Sequence, residues 1–390
     1  MTTGITILAA VILLITIASS LSLWHGLSKM ASLAHIPPLK PEGQQLVSII
    51  VAACNEEEKI EQAMRSLLEL DYRQVEIIAI NDRSTDSTGT ILTNLAADHR
   101  ALKVLQIDSL PANWMGKLHA LQKGAELANG EYLLFSDADV ILEKSTLARA
   151  MARVSEKNLD HLTVIFKNIS PGWLLNSLIL DAGAGLLLLF RPWLAQDRNS
   201  PCFIGVGAFN LVKKSCYLAI GGHSAIAMHP VDDLMLGRLL KQRGYTQECL
   251  LAPDLVMVPW YSSVAEMVEG LTKNALALLN YRFSLVLPVV LFCSALTILP
   301  PWGVLLTEGL PAGLFLATVL LRIAAFLWGA KLLALSPWCA FGALVAPYLS
   351  IYILLRAAWK NSREGGISWR GTFYPLEVLR KNGSLLPPLN

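Results

Sequence analysis

Asp137 and Asp139 stand two apart in the run SDADV, directly after an apolar stretch that ends at Ser136. At a strand end this spacing lets both carboxylates point to one side before the chain turns away. Carboxylates alone repel a diphosphate, but carboxylates holding a divalent cation attract it. Mg²⁺ or Mn²⁺ takes one or two carboxylates and completes its shell with water and phosphate oxygens. Plain turn acids or a helix cap ahead of Lys144-Ser145 would show the same pattern. Asp82, in INDRSTDST, sits where a carboxylate can accept hydrogen bonds from a base or a ribose hydroxyl, while Asp86 or Ser84 has the type that caps the next helix. Asp232-Asp233 opens the helical pattern HPVDDLMLGRLLKQRG, with Leu234, Leu236, Leu239 and Leu240 apolar. Acids there either complement the helix dipole or take a proton from an acceptor hydroxyl. A third acidic cluster in one domain favours the base.

These acids need a frame. VSIIVAAC (47–54), VEIIAIN (75–81), KVLQI (103–107) and EYLLFS (131–136) read as buried strands, with helical patterns over 57–70, 87–99 and 117–129 between them. Strand, helix, strand repeated three times predicts an α/β domain with a doubly wound, mostly parallel sheet. The ligand site of such a sheet lies outside the carboxyl ends of its strands. Asn55-Glu56, Asn81-Asp82, Asp108 and Asp137 to Asp139 all fall there, and the rim is acidic. The first turn, ACNEEEK, has no glycine, and no P-loop occurs, so dinucleotide-dependent oxidoreductase and P-loop readings lose their support.

The remaining sequence is membrane-like. The chain has 390 residues, 54% hydrophobic and 16% charged, against about one quarter charged on average. Net charge is +2 from 32 basic and 30 acidic residues, which gives no electrostatic argument for nucleic acid. The six cysteines are scattered without a C-x-x-C pair, against zinc or a disulfide framework and in keeping with a reducing compartment. Residues 1–28 read as an N-terminal anchor rather than a cleaved signal, since nothing basic precedes the apolar run and Lys29 follows it. Residues 46–282 form the catalytic domain, 283–356 the C-terminal apolar helices and 357–390 a basic tail. Tail and domain should both be cytoplasmic, which requires an even number of crossings between them. Three apolar runs would give an odd number, so one is expected to be broken or re-entrant, around Pro300-Pro301 or Arg322. The segment 173–193, with Trp at both ends and Asp181 inside, reads as interfacial or as a buried core helix.

VSIIVAACNEEEKI, INDRSTDST, SDADV, GAFNLVKKSCYLAIGGH and VDDLMLGRLLKQRG, in this order across residues 47–282, resemble the motifs of membrane-anchored family-2 glycosyltransferases of GT-A fold. The chain is most similar to the hopene-associated, carotenoid-type and ceramide-type lipid glycosyltransferases. NWMGKLHALQKG and GGISWRGTFY also look like segments of that subgroup. The resemblance implies an enzyme of hexosyltransferase type at the inner membrane, multi-pass, with its catalytic domain facing the cytoplasm. By position, Asp82 matches the nucleoside-contacting carboxylate, and Asn55-Glu56 lie where the first strand meets the nucleotide. Asp137 and Asp139 match the metal-binding D-x-D, with Asp139 the direct ligand of Mg²⁺ or Mn²⁺, and Asp233 matches the base. Lys117 matches a G-K position, for phosphate contact or as a solvated helix-start lysine. Asn81 stands for the usual first Asp of its pair, and Asp232 for the usual Glu. No Q-x-x-R-W follows; EGLTKNALALLNYRF takes its place, which argues for a single sugar transfer rather than a processive synthase. Lys273 and Arg282 there either bind the diphosphate or face lipid headgroups.

The implied reaction inverts the anomeric carbon of a nucleotide-diphosphate sugar, with uridine the family expectation, in one displacement by a membrane-lipid hydroxyl: a hopanoid, a carotenoid or another glycolipid precursor. A polyprenyl-phosphate sugar synthase would instead want a basic acceptor pocket, which Arg191, Arg198, Lys213 and Lys214 could supply. A non-catalytic membrane scaffold would not need all four of Asp82, Asp137, Asp139 and Asp233. A transporter would want more intramembrane charge than Arg322, and paired repeats.

Overall fold

The computed structural model describes residues 2–381; the end of the expected basic tail, 382–390, lies outside the described residues. In chain order the elements are α1 (Thr2–Lys29), β1 (Val47–Ala53), α2 (Ile60–Leu68), β2 (Val75–Asp82), α3 (Thr88–Asp98), β3 (Leu102–Ile107), α4 (Gly116–Leu127), β4 (Tyr132–Asp137) and β5 (Ile141–Leu142). There follow α5 (Thr146–Lys157), β6 (His161–Ile165), β7 (Lys167–Asn168), α6 (Trp173–Phe190), β8 (Asn210–Lys213), α7 (Lys214–Ala219), α8 (Asp232–Gln242), β9 (Gln247–Leu251) and β10 (Val256–Val258). Last come α9 (Val264–Asn274), α10 (Val286–Thr297), α11 (Leu299–Leu306), α12 (Leu310–Leu332), α13 (Gly342–Glu364), the hairpin β11 (Gly366–Trp369) and β12 (Thr372–Pro375), and α14 (Leu376–Lys381).

The chain divides into two compact units, one made of Met30–Lys167 and Arg191–Trp260, the other of the segments around it. The first is the expected α/β domain. Its sheet has seven strands in the order β3-β2-β1-β4-β8-β6-β9. β1, β2, β3 and β4 pair in parallel, and β8 runs antiparallel between β4 and β6. β1 has no exposed residue, since helices cover both faces, and an unbroken VSIIVAA is what such a strand requires. Burial of each such Val or Ile contributes about 1.5–3 kcal/mol. α4 lies close over the sheet at Gly124, where a Cβ would collide with Ile50 and Ile80.

Polar residues pin the opposite end of the sheet from the acids. The Glu76 carboxylate accepts from Ser48 Oγ at 2.6 Å, Lys103 Nζ at 2.8 Å and the Asn129 backbone N–H at 2.6 Å. Register then carries order to the other end, with Ala53 opposite Asn81 and Ala52 opposite Asp137, so β1, β2 and β4 finish level and their acids share one rim.

The second unit is helical. Thr2–Lys29, Trp173–Leu194, Leu310–Leu332 and Pro337–Glu364 are long and apolar enough to cross a membrane, and the bent pair Val264–Leu279 and Phe283–Thr297 would make a fifth. The break near Pro300-Pro301 is present, since α10 and α11 have 12 and 8 residues. Arg322, the other candidate for a break, lies inside an unbroken helix of 23 residues. There it faces Asp181 at 3.5 Å, and Ser350 donates to that same Asp181 at 3.1 Å. Asp181 and its segment, expected inside the catalytic domain, group with this unit instead.

Candidate active site

Lys117, one residue into α4, reaches the end of β4, with its Nζ 2.7 Å from Asp137 Oδ1. The same ammonium lies 3.3 Å from Asp232 Oδ1, at the start of α8. Burial works against the charged lysine, but Asp137, Asp232 and Asp233 outweigh it and raise its pKa above the ordinary value. Lys117 is therefore the cation that lets acids from two elements approach each other. Asp139, two residues beyond Asp137, faces Lys59 Nζ at 3.7 Å. That lysine is aimed by its hydrogen bond to the Pro259 carbonyl at 2.8 Å. Burial first, then the neighbouring Asp137, push the Asp139 carboxyl up to about 7.

Asp233 is oriented by backbone: its Oδ2 accepts from the Gly207 N–H at 2.9 Å and its Oδ1 from the Leu234 N–H at 2.8 Å. The Gly207 carbonyl in turn accepts from the Asp137 N–H at 3.0 Å, so one glycine ties the D-x-D to the expected base. A Cβ on Gly207 would come 2.6 Å from Asp137 Oδ2, and one on Gly205 would run into the Asp233 backbone carbonyl. These two glycines and Lys59 escaped the reading of the sequence. FIGVGAF did carry a signal, two glycines two apart ahead of a strand, but what they approach is distant in sequence. Burial, then Asp232, raise the pKa of Asp233, and burial also raises that of Asp232. A carboxylate tuned upward toward neutrality suits proton removal from a hydroxyl.

A cleft lies among these groups, lined by Lys117, Asp137, Asp232, Asp233 and His223. His223 Nδ1 shares a hydrogen bond with Tyr217 Oη at 2.8 Å, and burial, then Lys117, depress its pKa to about 3, so the imidazole is neutral.

The other predicted residues sit on the same rim with more of their capacity used. Asp82 is 2% exposed, and both its oxygens take hydrogen bonds from Arg83, Nε to Oδ1 at 2.8 Å and Nη2 to Oδ2 at 2.9 Å. The guanidinium and Gly116 thus stand at the place where a nucleoside contact was expected of Asp82. Asn55 adopts φ +56, and its Oδ1 accepts from the Thr85 N–H at 2.8 Å. The Glu56 N–H donates to Thr88 Oγ1 at 2.8 Å, and the Glu56 charge acts on Asp139. Asn55 and Glu56 therefore knit the β1 loop to the β2 loop. Asp86 accepts from the Thr88 N–H at 3.0 Å and does the helix-start work expected of it or of Ser84. Of the cations that would serve a phosphate acceptor, Lys214 is committed to the Ala128 carbonyl at 2.5 Å.

Among the described residues no group of three or more His, Cys, Asp or Glu side chains could hold a metal by itself. The donor set still fits one. Among the described residues Asp137, Asp139, Asp232 and Asp233 form ion pairs with Lys59 and Lys117, more carboxylates than cations, and a divalent ion would offset the crowding that raises the pKa of Asp139 and Asp233. A shell of one or two carboxylates, closed by water and phosphate oxygens, is the usual habit of Mg²⁺.

Residues 48–217 match the family model for Glycosyl transferase family 2. Asn55, Glu56, Asp82, Lys117, Asp137 and Asp139 lie inside the matched segment, and Asp233 lies beyond it. The solved mannosyltransferase PcManGT from Pyrobaculum calidifontis, in complex with GDP-Man and Mn²⁺, shares the GT-A-like fold with a TM-score of 0.55 and 18% identity, over 92% of this chain and 99% of that one. Among curated proteins, the 4,4'-diaponeurosporenoate glycosyltransferase of Staphylococcus haemolyticus is 25% identical over 60% of this chain and 63% of its own length. The beta-monoglucosyldiacylglycerol synthase of Nostoc sp. is 30% identical over 60% of this chain and 47% of its own length. The chain thus matches less than two thirds of either relative.

Proposed function

We propose that this protein transfers one sugar from a nucleotide-diphosphate sugar to a hydroxyl of a membrane lipid. The observation that carries the reading is the meeting of Asp137, Lys117 and Asp232-Asp233 at the carboxyl ends of the strands, within or just after the matched segment. A lipid acceptor is supported by the apolar helices and by two relatives whose names specify a carotenoid-type acid and a glucosylated diacylglycerol. Asp139, with Asp137 beside it, would hold Mg²⁺ or Mn²⁺, which when bound would neutralise the departing nucleoside diphosphate. Lys117 keeps Asp137 and Asp232 in place against their mutual repulsion. Asp233, aimed by the Gly207 and Leu234 amides, takes the proton from the acceptor hydroxyl as that oxygen attacks the anomeric carbon from the face opposite the diphosphate. One displacement of this kind inverts the anomeric centre and needs no covalent intermediate. Arg83 stands at the nucleoside end of the site, with Asp82 holding its guanidinium flat. The domain is placed on the cytoplasmic face of the inner membrane, where Lys29 and the basic residues after α13 would put it.

The test is a donor screen on the purified protein in detergent, with Mg²⁺ or Mn²⁺, a bacterial lipid extract and a panel of nucleotide sugars. Nucleoside diphosphate release and lipid mass are followed together, beside Asp139→Ala and Asp233→Ala. Release coupled to a hexose-sized gain on a lipid, lost in both variants, is the expected result. No turnover with any donor, with wild type and variants alike, would overturn the reading.

A further inference from the structure

Tyr217 and His223 form a buried pair beneath the acids, and one amide sets the direction of the hydrogen bonds between them. Gln122 Nε2 donates to Glu126 Oε1 at 3.2 Å, which turns Gln122 Oε1 the other way, toward Tyr217 Oη at 3.0 Å. An amide oxygen only accepts, so the single phenolic proton goes to Gln122. Tyr217 Oη is then the acceptor for its other two neighbours, the His223 backbone N–H at 3.0 Å and Nδ1 at 2.8 Å. Nδ1 must therefore carry a proton. Since burial and Lys117 keep the imidazole neutral, the free lone pair falls on Nε2. Gly222 permits the arrangement, because it adopts φ +59 and a Cβ there would come 2.8 Å from Tyr217 Oη.

Nε2 has no hydrogen-bond partner among the described residues, although His223 is only 1% exposed and lines the cleft. A buried acceptor left open costs free energy until a donor reaches it. The chemistry of the surroundings restricts that donor. A phosphate oxygen is itself an acceptor and is repelled by a lone pair. A divalent cation is opposed by the Lys117 charge, and no group of three or more metal-binding side chains occurs among the described residues. A hydroxyl meets neither obstacle. The His223 ring packs edge-on against Phe135, with centroids 4.7 Å apart, and Phe135 stands two residues before Asp137 on the same face of β4. His223 thus sits on the floor of the cleft, below the acids, where a molecule held at Asp137 is the first to reach it. On the sugar-transfer reading given above, we propose that His223 Nε2 accepts a hydrogen bond from a hydroxyl of the donor sugar and thereby helps to select that sugar.

The full chain in detergent supplies the test. Nitrogen-15 spectra of histidine-labelled protein, with His223→Gln to assign the resonance, should show Nδ1 protonated and Nε2 bare, and Nε2 should shift when donor is added. The donors are UDP-glucose, UDP-galactose, UDP-N-acetylglucosamine and GDP-mannose. Whichever of them the donor screen selects is compared with its singly deoxygenated forms by equilibrium binding, with no lipid acceptor present. One deoxy form should bind the wild type about tenfold more weakly than its parent. In His223→Phe the parent should fall to the level of that deoxy form, whereas His223→Gln, which places an amide near the Nε2 position, should keep part of the difference. Tyr217→Phe, which strips Nδ1 of its acceptor, should reduce the difference about threefold and serves where His223→Phe does not fold. The same deoxy penalty in wild type and variants would overturn the proposal, as would a protonated Nε2. Variants that change which lipid is used, with sugar binding unaltered, would give the hydroxyl to the acceptor and overturn it too. Binding is read without transfer, so failure of the proposal alone leaves turnover intact, whereas a panel in which nothing binds or turns over removes the sugar-transfer reading with it.

Discussion

At the scale of single residues, the site's charge balance turns on Lys117. Lys117→Met leaves Asp137 and Asp232 facing each other without their shared cation, and removal of one partner from a buried ion pair costs about 3–5 kcal/mol. With 22% of the Lys117 side chain exposed, the lower end of that range is expected. Thermal unfolding in detergent checks it; an unchanged midpoint would mean that Lys117 is an ordinary solvated lysine. Glu76 offers a pH test far from the chemistry. Burial would raise its pKa, but hydrogen bonds from Lys103, Ser48 and Asn129 outweigh it and bring it from 4.5 down to about 2. The folded value is the depressed one, so the stabilisation is complete above about pH 4.5 and fades as pH falls toward 2. Glu76→Gln should remove this dependence and destabilise the protein by about 1–3 kcal/mol at neutral pH. Unfolding midpoints of both proteins measured from neutral to acid pH decide it. Residue types and spacing singled out Asp137, Asp139 and the pair Asp232-Asp233, whereas Lys117 and the choice of Asp233 within its pair came from the resemblance; helix starts at 116 and 232 bring them to the strand-end acids. Arg83 was overlooked beside Asp82 because adjacency along an extended strand puts side chains on opposite faces; only its left-handed backbone, φ +57, folds it back.

Elements were legible where period and punctuation agreed. The four parallel strands were read within a residue or two, since short apolar runs between helical patterns leave little choice; β3, expected as a buried strand, is instead the sheet edge and exposes Lys103 and Gln106. β6, β8 and β9 were not read, because they join the sheet across long stretches of chain and β8 has four residues. The run from Trp173 was ambiguous for a physical reason: an 18-residue apolar helix fits a core, an interface or a bilayer equally in composition. The loop bearing Gly205 acts at this scale, because it seats the first turn of α8. Gly205→Ala should drive that turn away from Gly207 and lower transfer on the order of a hundredfold, as misplacement by about 1 Å does. Turnover by Gly205→Ala within threefold of wild type, roughly the scatter of context effects, would show that the turn yields.

For the whole molecule, the main constraint is that α6 is flanked by strands of one sheet. β6 ends before it and β8 begins after it, and the two pair directly. Both flanks of α6 therefore lie on the same side of any bilayer, although its length would permit a crossing. Lys157→Cys and Arg198→Cys, with the partly exposed Cys202 and Cys293 replaced by serine, should both react with an impermeant maleimide in inverted vesicles and neither in intact spheroplasts. Labelling from opposite sides would break this topology. The same connectivity sets an order on biosynthesis. His161 finds its parallel neighbour only in Gln247, so the ribosome has long since released α6 when the last strand of the sheet arrives. The apolar helix must meanwhile be kept from aggregating, and the bilayer is the nearest surface able to do so. A chain refolded from denaturant without lipid should accumulate with its sheet half built, whereas translation onto a membrane lets the two ends of the sheet meet over an insertion that is already parked.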